Sequence, residues 1–307
     1  MGHGLHVPQT ERFLLGWRRG GVFGRGSHPA QRFRVHQIFY NEESYAALDP
    51  GFIPLDNSRD SRPDWYEFWA ILQFLRSNAL EANVWYGFLS PRFKEKVGLG
   101  SASVFQILDS IHHSHDVALL PVAVDQIVYF KNVFEQGEFC HPSLIGLSKK
   151  FIARAGIDID LDTLVSHSGN ACFSNFIVAK APYWDAWRRL AEAFFSFAED
   201  PDSETGMELR KPTSYLRGPT PMKVFIQERL SALVLAAGQF CVFSLPLTFS
   251  LKRYPSESIE TLTKIDDLKR RMSAAASPEL TRALDGLRQR LKFDGDLGMV
   301  LPAGHRG

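Results

Sequence analysis

Apolar residues between positions 35 and 254 fall into short continuous runs and into longer stretches with helical spacing. The short runs are rich in β-branched and aromatic residues, which is typical of buried strands. We predict four strands, at 35–40, 83–89, 117–124 and 172–179. Pro121 lies inside the third run, and because proline cannot donate a hydrogen bond to a neighbouring strand, we expect that strand to be bulged or at a sheet edge.

The stretches with helical spacing lie between and after these runs. They predict helices at 65–75, 101–110, 182–199 and about 222–237, the last ending at Gly238. Strands that alternate with helices are typical of α/β proteins whose strands are mostly parallel. The predicted fold class is therefore α/β, with a mainly parallel sheet flanked by helices.

The C-terminal residues 255–307 have a different pattern, with two helices that each carry a narrow apolar seam. The second helix begins at Ser277-Pro278 and has leucines at helical spacing, namely Leu280, Leu284, Leu287 and Leu291. Each seam is shorter than the three or more heptads that indicate a coiled coil. We therefore expect this helical extension to pack against the rest of the chain.

Residues 230–251 contain no charged side chain, and about 20 apolar residues are enough to cross a bilayer. Gly238 interrupts this stretch, however, and Pro246 lies near its end. A helix followed by a buried strand at 240–243 accounts for the same residues. We expect a soluble or peripheral protein, and a membrane span remains the alternative.

The charge of the 307 residues is nearly balanced, with 35 Lys and Arg against 34 Asp and Glu, but it is unevenly distributed. Residues 1–34 carry +5, residues 35–254 carry −5 and residues 255–307 carry +1. We predict a flexible basic tail at 1–34, an α/β domain at 35–254 and a helical extension at 255–307. Nucleic-acid binding is not expected of the acidic middle block, whereas the tail has the charge to touch an anionic membrane surface or nucleic acid.

Most motifs that identify a cofactor or a metal are missing. No phosphate-binding loop and no dinucleotide fingerprint occur, and the three cysteines have neither metal nor redox spacing. His112 and His115 have the spacing of two metal ligands, but histidines are also favoured at the end of a helix. We predict no metal site.

Polar residues follow the predicted strands at the end where α/β sheets form their ligand crevice. The candidates are Asp56 and Asn57, Arg92, Asp125 and Gln126, His141, Ser168 and Asn175, and Lys223 and Glu228. Each has a simpler explanation. Asp56 and Asn57 also suit a turn, Arg92 suits a surface ion pair, and Glu228 with Arg229 suits an internal pair.

The order of several segments resembles bacterial GT-A-like glycosyltransferase-type proteins encoded in capsule and exopolysaccharide gene clusters. The segments are 37–40, 48–57, 62–67, 85–93, 174–180 and 225–230. The resemblance covers about residues 35–245 and implies transfer of a sugar from a nucleotide-sugar to a glycan or lipid-linked acceptor. The three unpaired cysteines are typical of a cytoplasmic protein, and peripheral contact at the inner membrane is the alternative location.

The resemblance also assigns roles to the candidates. Asp125 and Glu228 become the candidate bases that deprotonate the acceptor. Donor or phosphate binding falls to Asp56, Asn57, Arg92 and Lys223, and acceptor or sugar binding falls to Gln126, His141, Ser168 and Asn175.

One departure from the family is that Asp-x-Asp, which commonly holds a divalent ion on the donor, is replaced at the matching strand end by Ser90-Pro91-Arg92. No resident cofactor is expected, cations such as Arg92 or Lys223 would neutralise the diphosphate, and a need for a divalent metal stays open. The alternative is a catalytically inactive relative that acts as a binding or assembly subunit.

Overall fold

The computed structural model of the protein describes residues 32–59, 61–121, 123–173, 176–213, 218–247, 249, 254–294 and 299–303. Its centre is a six-stranded sheet with the order β2-β1-β3-β5-β4-β8. The strands of this sheet are β1 Phe33–Phe39, β2 Ile53–Asp56, β3 Trp85–Leu89, β4 Val117–Leu119, β5 Ile177–Lys180 and β8 Val242–Ser244. Two small antiparallel pairs lie outside it, β6 Pro212–Thr213 with β7 Thr220–Pro221 and β9 Leu291–Asp294 with β10 Met299–Pro302.

The sheet is mixed, because β5 runs opposite to the other five strands. It pairs antiparallel with β3 on one side and with β4 on the other, whereas the remaining neighbours pair in parallel. The prediction of an α/β fold with a mostly parallel sheet is confirmed. The prediction that the strand containing Pro121 is bulged or at an edge is wrong, since β4 ends at Leu119 and lies between β5 and β8.

Helices connect and flank these strands. They are α1 Glu42–Ala46, α2 Glu67–Ser77, α3 Phe93–Val97, α4 Ser101–Ile111, α5 Val124–Tyr129, α6 Val133–Cys140, α7 Leu144–Ala155, α8 Ala181–Glu199, α9 Glu204–Arg210, α10 Met222–Gln227, α11 Leu230–Ala237, α12 Ser256–Ala274 and α13 Pro278–Arg288. The single helix predicted at about 222–237 is two helices, α10 and α11, which meet at Glu228 and Arg229. Among the described residues, no helix combines the length and the apolarity that a bilayer crossing requires.

The core is built largely from aromatic side chains. Trp65, Trp85, Trp184 and Trp187 are all less than 2% exposed. The indole Nε1 of Trp184, on α8, donates to the carbonyl oxygen of Tyr86 on β3 at 2.9 Å. Large buried rings of this kind account for the excess of aromatic residues in the middle of the sequence.

The C-terminal helices pack onto the rest of the described chain, as the sequence predicts. Leu262, Ile265 and Leu284 share a second apolar cluster with Val128 of α5. The buried Nζ of Lys269, on α12, donates to the carbonyl oxygens of Ile127 at 2.6 Å, Val128 at 2.9 Å and Phe130 at 2.5 Å. Burial lowers the pKa of Lys269 to about 7. The predicted domain boundaries at 34 and 254 remain predictions.

Candidate functional site

The direction of the strands defines the edge of the sheet at which a site can form. The C-terminal ends of β1, β2, β3, β4 and β8 lie at the same edge, together with the N-terminal end of the reversed strand β5. We call this the carboxyl edge. Ligands of α/β proteins bind at such an edge, next to neighbouring parallel strands whose connections leave in opposite directions. The connection after β1 leads to β2 on one side of the sheet, and the connection after β3 leads towards β4 on the other side. The crevice expected from topology therefore lies between β1 and β3.

The chain itself fills much of that crevice. Gln37, on β1, donates through Nε2 to the carbonyl oxygens of Ser90 at 3.3 Å and Pro91 at 3.2 Å. The Asp49 carboxylate accepts from the backbone N of Ser101 at 2.9 Å and from its hydroxyl at 2.6 Å, and thereby caps the N-terminus of α4. A helix N-terminus attracts anions, and at α4 the Asp49 carboxylate is the anion bound there.

Asp56 and Asn57 follow β2 at the carboxyl edge and form a turn. The exposed Asp56 accepts from the backbone N of Ser58 at 2.7 Å, and hydrogen bonds from Ser58 lower the pKa of this carboxyl group. Asn57 is buried, and its backbone N donates to the carbonyl oxygen of Phe39 at 2.9 Å. The geometry matches the simpler explanation of this pair, and their role in donor binding remains a prediction.

Arg92 directly precedes the short helix α3 that follows β3, and Lys96 lies within it, so two cations follow this strand. Arg92 Nε donates to Glu95 Oε2 at 2.6 Å in an exposed ion pair. Lys96 Nζ lies 5.4 Å from the ring centre of Phe176, which precedes β5 at the same edge. The sequence analysis identified Arg92 but missed Lys96, because a lysine in an exposed helix has no distinguishing pattern.

Glu228 is the predicted site residue with the most unusual surroundings. It lies between α10 and α11 and is partly buried, and within the described part of the chain its carboxyl group accepts no hydrogen bond. Burial raises its pKa; the charge of Arg229 opposes that shift, and Glu67 reinforces it. Lys96 acts in the same direction as Arg229. Glu67 begins the helix α2 that follows β2, and Lys96 lies in the helix α3 that follows β3, so two of the charges that act on Glu228 come from elements at the carboxyl edge.

Arg229 is buried beside Glu228, but it does not form the predicted internal pair through a hydrogen bond with it. Its guanidinium donates to the carbonyl oxygens of Val133, at 2.7 Å, and Phe225, and through Nη2 to Gln136 Oε1 at 2.5 Å. Gln136 Nε2 in turn donates to Gln126 Oε1 at 3.0 Å. The predicted site residue Gln126 is thus joined to the Glu228–Arg229 turn by a hydrogen-bond chain.

Two close contacts surround the hydrogen bonds that join Arg229, Gln136 and Gln126. The ring of His141 stacks on that of Phe225, with ring centres 3.5 Å apart. A Cβ atom at Gly137 of α6 would lie 2.7 Å from Arg229 Nε, so only glycine allows the guanidinium to approach the helix this closely. His141, Gln126 and Glu228 are therefore brought to one region by α5, α6 and α10.

Lys223, five residues before Glu228, lies in a different environment. Its side chain is 2% exposed, and Nζ forms ion pairs with Asp64 and, at 2.7 Å, with Glu199 Oε1. Nζ also lies 4.4 Å from the ring centre of Trp65. Burial alone would raise the pKa of Asp64, but hydrogen bonds from Arg62 and Lys223 outweigh it and lower this pKa to about 2. The ammonium group is already neutralised by two carboxylates.

Asp125 and Ser168 contact the C-terminal part of the chain. Asp125 is 4% exposed, and its Oδ2 accepts from the backbone N of Val300 in β10 at 3.1 Å. The Ser168 backbone N and hydroxyl donate to Asp266 of α12 at 2.8 and 2.7 Å. Their predicted roles in catalysis and acceptor binding remain predictions. Asn175, the remaining candidate, lies outside the described residues.

In the part of the chain that the structure describes, no group of three or more His, Cys, Asp and Glu side chains is arranged to hold a metal ion. His112 follows the last turn of α4, where its Nδ1 donates to the carbonyl oxygen of Asp109 at 2.8 Å. No protein-family model matches this chain, and no curated protein and no solved structure is significantly similar to it.

Proposed function

We propose that this protein is a glycosyltransferase that transfers a sugar from a nucleotide-sugar to a glycan or lipid-linked acceptor in polysaccharide synthesis. The observation that carries the proposal is the Glu228 carboxyl group at the carboxyl edge. It is partly buried, its pKa is raised by burial, and within the described residues it accepts no hydrogen bond. A carboxylate of raised pKa at a ligand-binding edge is suited to general-base catalysis.

In the proposed reaction, the acceptor hydroxyl oxygen attacks the anomeric carbon of the donor sugar. The bond between that carbon and the donor phosphate oxygen breaks, and the nucleotide leaves with the bonding electrons. The hydroxyl proton passes to Glu228. We assign the base to Glu228 rather than to Asp125, because Asp125 is buried and bonded to the backbone of β10.

The departing phosphates need positive charge, which Arg92 and Lys96 supply after β3. An exposed ion pair such as Arg92–Glu95 contributes at most about 1 kcal/mol, so a donor phosphate can displace Glu95. Lys96 replaces Lys223 in this proposal, because Lys223 is held by Asp64 and Glu199. The proposed location is the cytoplasm, with peripheral contact at the inner membrane where lipid-linked acceptors are found.

The proposal is tested by incubating the pure protein with UDP-, GDP- and CMP-sugars. We expect one class to raise the melting temperature, and Arg92→Ala to lose that protection. With a bacterial glycan and lipid extract as acceptor, Glu228→Gln should slow release of the nucleotide product by about 10²–10⁴-fold while the donor still binds. Glu208→Gln, which removes an exposed carboxylate, is the control and should behave as the unaltered protein.

Failure of every nucleotide-sugar to bind would overturn the proposal. Full turnover by a folded Glu228→Gln variant would overturn the choice of base and leave the class of substrate intact.

A binding or assembly subunit without catalytic activity is the second candidate, and one specific observation favours it. Asp49 caps α4 beside the β1–β3 crevice, and a Cβ atom at Gly51 would lie only 2.2 Å from the Ser101 hydroxyl oxygen. A crevice closed in this way leaves less room for a donor. Nucleotide-sugar binding without turnover under any acceptor condition would support this candidate over the enzyme.

A further inference from the structure

An open groove of about 550 Å³ lies between the C-terminal helices α12 and α13. The two helices are joined by only three residues, 275–277, and therefore pack side by side in opposite directions. Leu268 of α12 and Leu287 of α13 give the groove an apolar floor. Residues of these helices and the following Arg290 line it, so the groove is separate from the carboxyl edge and from the proposed reaction.

Gly286 keeps the floor of this groove open. It is exposed and lies inside α13, and a Cβ atom there would meet no other atom of the described chain within 4 Å. Glycine in an exposed helix interior costs about 1 kcal/mol relative to alanine, and no close contact within the described residues requires it here. With Ala283, which also lines the groove, it leaves room for a second molecule to approach the α13 backbone closely.

Three cations line the same groove. Lys264 and Arg271 are seven residues apart on α12, so they lie on one side of the helix, two turns or about 10.5 Å from each other. Arg290 lies at the Lys264 end, because its charge acts on Glu260, the partner of Lys264 in an ion pair of 2.6 Å. Positive charge is therefore present at both ends of the groove, with the apolar floor between them.

Most of this positive charge is available to a ligand. The exposed guanidinium of Arg271 forms no hydrogen bond or ion pair within the described part of the chain. The Lys264–Glu260 pair is exposed on both sides, and such a pair contributes at most about 1 kcal/mol. Asp267 also lines the groove, so its three cations and one acid give a net charge of +2. A groove of this charge favours an acidic occupant.

The shape of the groove identifies the kind of occupant. A third helix can reach an apolar floor that lies between two helices, whereas the flat surface of a membrane would contact the charged rims alone. Helices commonly bind in this way, with an apolar stripe in an apolar groove. The chain's own residues 1–34 carry +5 and therefore have the wrong charge for this groove.

We propose that the groove between α12 and α13 binds an acidic amphipathic helix of a partner protein. Two acidic residues of that helix, two turns apart, contact Arg271 at one end of the groove and Lys264 with Arg290 at the other. The apolar residues between them pack on Leu268 and Leu287. This inference does not depend on the proposed function, because none of these residues takes part in the proposed reaction.

The probe for this proposal is a fluorescent, alanine-rich peptide of about 18 residues, which is long enough to form a helix. It carries two glutamates seven residues apart and two leucines midway between them, and a control peptide has lysines in place of the glutamates. Fluorescence anisotropy with the full-length protein should show about tenfold tighter binding of the acidic peptide. Its affinity should fall as the salt concentration rises.

Two variants test the charge and the floor of the groove separately. Arg271→Glu should weaken binding of the acidic peptide about tenfold, which corresponds to about 1.4 kcal/mol. Gly286→Leu fills the floor and should weaken binding to a similar degree, while its melting temperature should not fall, because leucine favours a helix more than glycine does. Lys211→Glu, which reverses an exposed cation outside the groove, is the control and should leave the affinity unchanged.

Three results would overturn the proposal. The first is failure of the acidic peptide to bind, or equal binding by the folded Arg271→Glu and Gly286→Leu variants. The second is binding to phosphatidylglycerol vesicles that Arg271→Glu weakens and Gly286→Leu does not, which would assign the cations to a membrane surface. The third is a dimer in solution that Gly286→Leu dissociates, which would assign the groove to a second copy of this chain.

Discussion

Lys223 in α10 and Glu228, which directly follows that helix, are charged residues with opposite kinds of surroundings. Lys223 is buried between Asp64 and Glu199 and above the ring of Trp65, so its charge is neutralised within the protein. The pKa of Glu228, five residues later, is affected by the positive charges of Arg229 and Lys96 and by the negative charge of Glu67. Its carboxyl group accepts no hydrogen bond within the described residues. The first arrangement stabilises the fold, and the second leaves a carboxyl group available for chemistry.

The ion pairs around Lys223 predict how the stability of the fold depends on pH. The pKa of Asp64 is about 2 in the folded protein, against an ordinary value of 3.8. Because the folded pKa is the lower one, this carboxylate stabilises the protein fully above pH 4–5, and the contribution is lost as the pH falls towards 2. Asp64→Asn should therefore lower stability at pH 7, on the order of 1 kcal/mol, and flatten the decline of the melting temperature between pH 5 and 2.

The control for this prediction is Asp162→Asn, which removes the exposed partner of Lys149. Exposed pairs contribute little, so the melting curve of this variant should follow that of the unaltered protein at each pH. An Asp64→Asn variant with an unchanged acid profile would contradict the prediction.

At the residue scale, the sequence located part of the candidate site. Glu228 and Arg92 are found because they follow apolar segments at the expected edge. Glu67 and Lys96 were missed, since their electrostatic effect on Glu228 depends on how distant segments pack. The backbone of Tyr66, with a φ of 50°, has a conformation suited to glycine, and nothing in the sequence indicates this at a tyrosine.

At the scale of elements, the strand β3 packs so closely against both neighbouring strands that only glycine fits at position 87. It lies between β1 and β5, and a Cβ atom at Gly87 would lie 2.9 Å from Val178 Cγ2 and 3.1 Å from Val35 Cγ1. Gly87→Ala should therefore overpack both interfaces and lower the free energy of unfolding by about 1–3 kcal/mol, as measured by denaturant titration.

Gly146 provides the matched control for Gly87. It lies in α7, and a Cβ atom there would meet no other atom within 4 Å. Gly146→Ala should raise stability by about 0.5–1 kcal/mol, because alanine favours the helix. If Gly87→Ala were as stable as Gly146→Ala, the close packing described for β3 would be wrong.

Several of the long or strongly apolar elements could be predicted from the sequence, because their burial pattern is local. The strands β1, β3 and β8 and the helices α4 and α8 lie close to their predicted positions. The direction of β5 could not be predicted, since a fully buried strand is apolar on both faces whichever way it runs. The break between α10 and α11 was missed because Glu228 and Arg229 are good helix formers, and it is the tertiary contacts of Arg229 that fix the turn.

At the scale of the whole molecule, the C-terminal helices are held through buried polar contacts. Asp266 is 1% exposed and accepts hydrogen bonds from Ser168 and from Arg270 Nε at 3.0 Å. Asp266→Ala leaves the buried backbone N and hydroxyl of Ser168 without this acceptor, which should lower the free energy of unfolding by about 2–3 kcal/mol. We expect α12 and α13 to exchange amide hydrogens faster than the central sheet in this variant.

The neighbouring Asp267 is exposed and provides the control. Asp267→Ala should leave both the stability and the exchange of α12 nearly unchanged. Equal exchange rates in the two variants would show that Asp266 does not hold the C-terminal helices in place.

The reversed strand β5 has a consequence for how this protein can diverge. Because β4 ends and β5 begins at the carboxyl edge, the chain from Leu120 to Phe176 leaves the sheet and returns to it on the same side. The helices of this excursion, α5, α6 and α7, are packed into the core, and Lys269 and Arg229 hydrogen-bond to α5 and α6. Insertions and deletions in the exposed loops between these helices can therefore change the surface on this side of the sheet, while the register and hydrogen bonds of the strand pairs are kept.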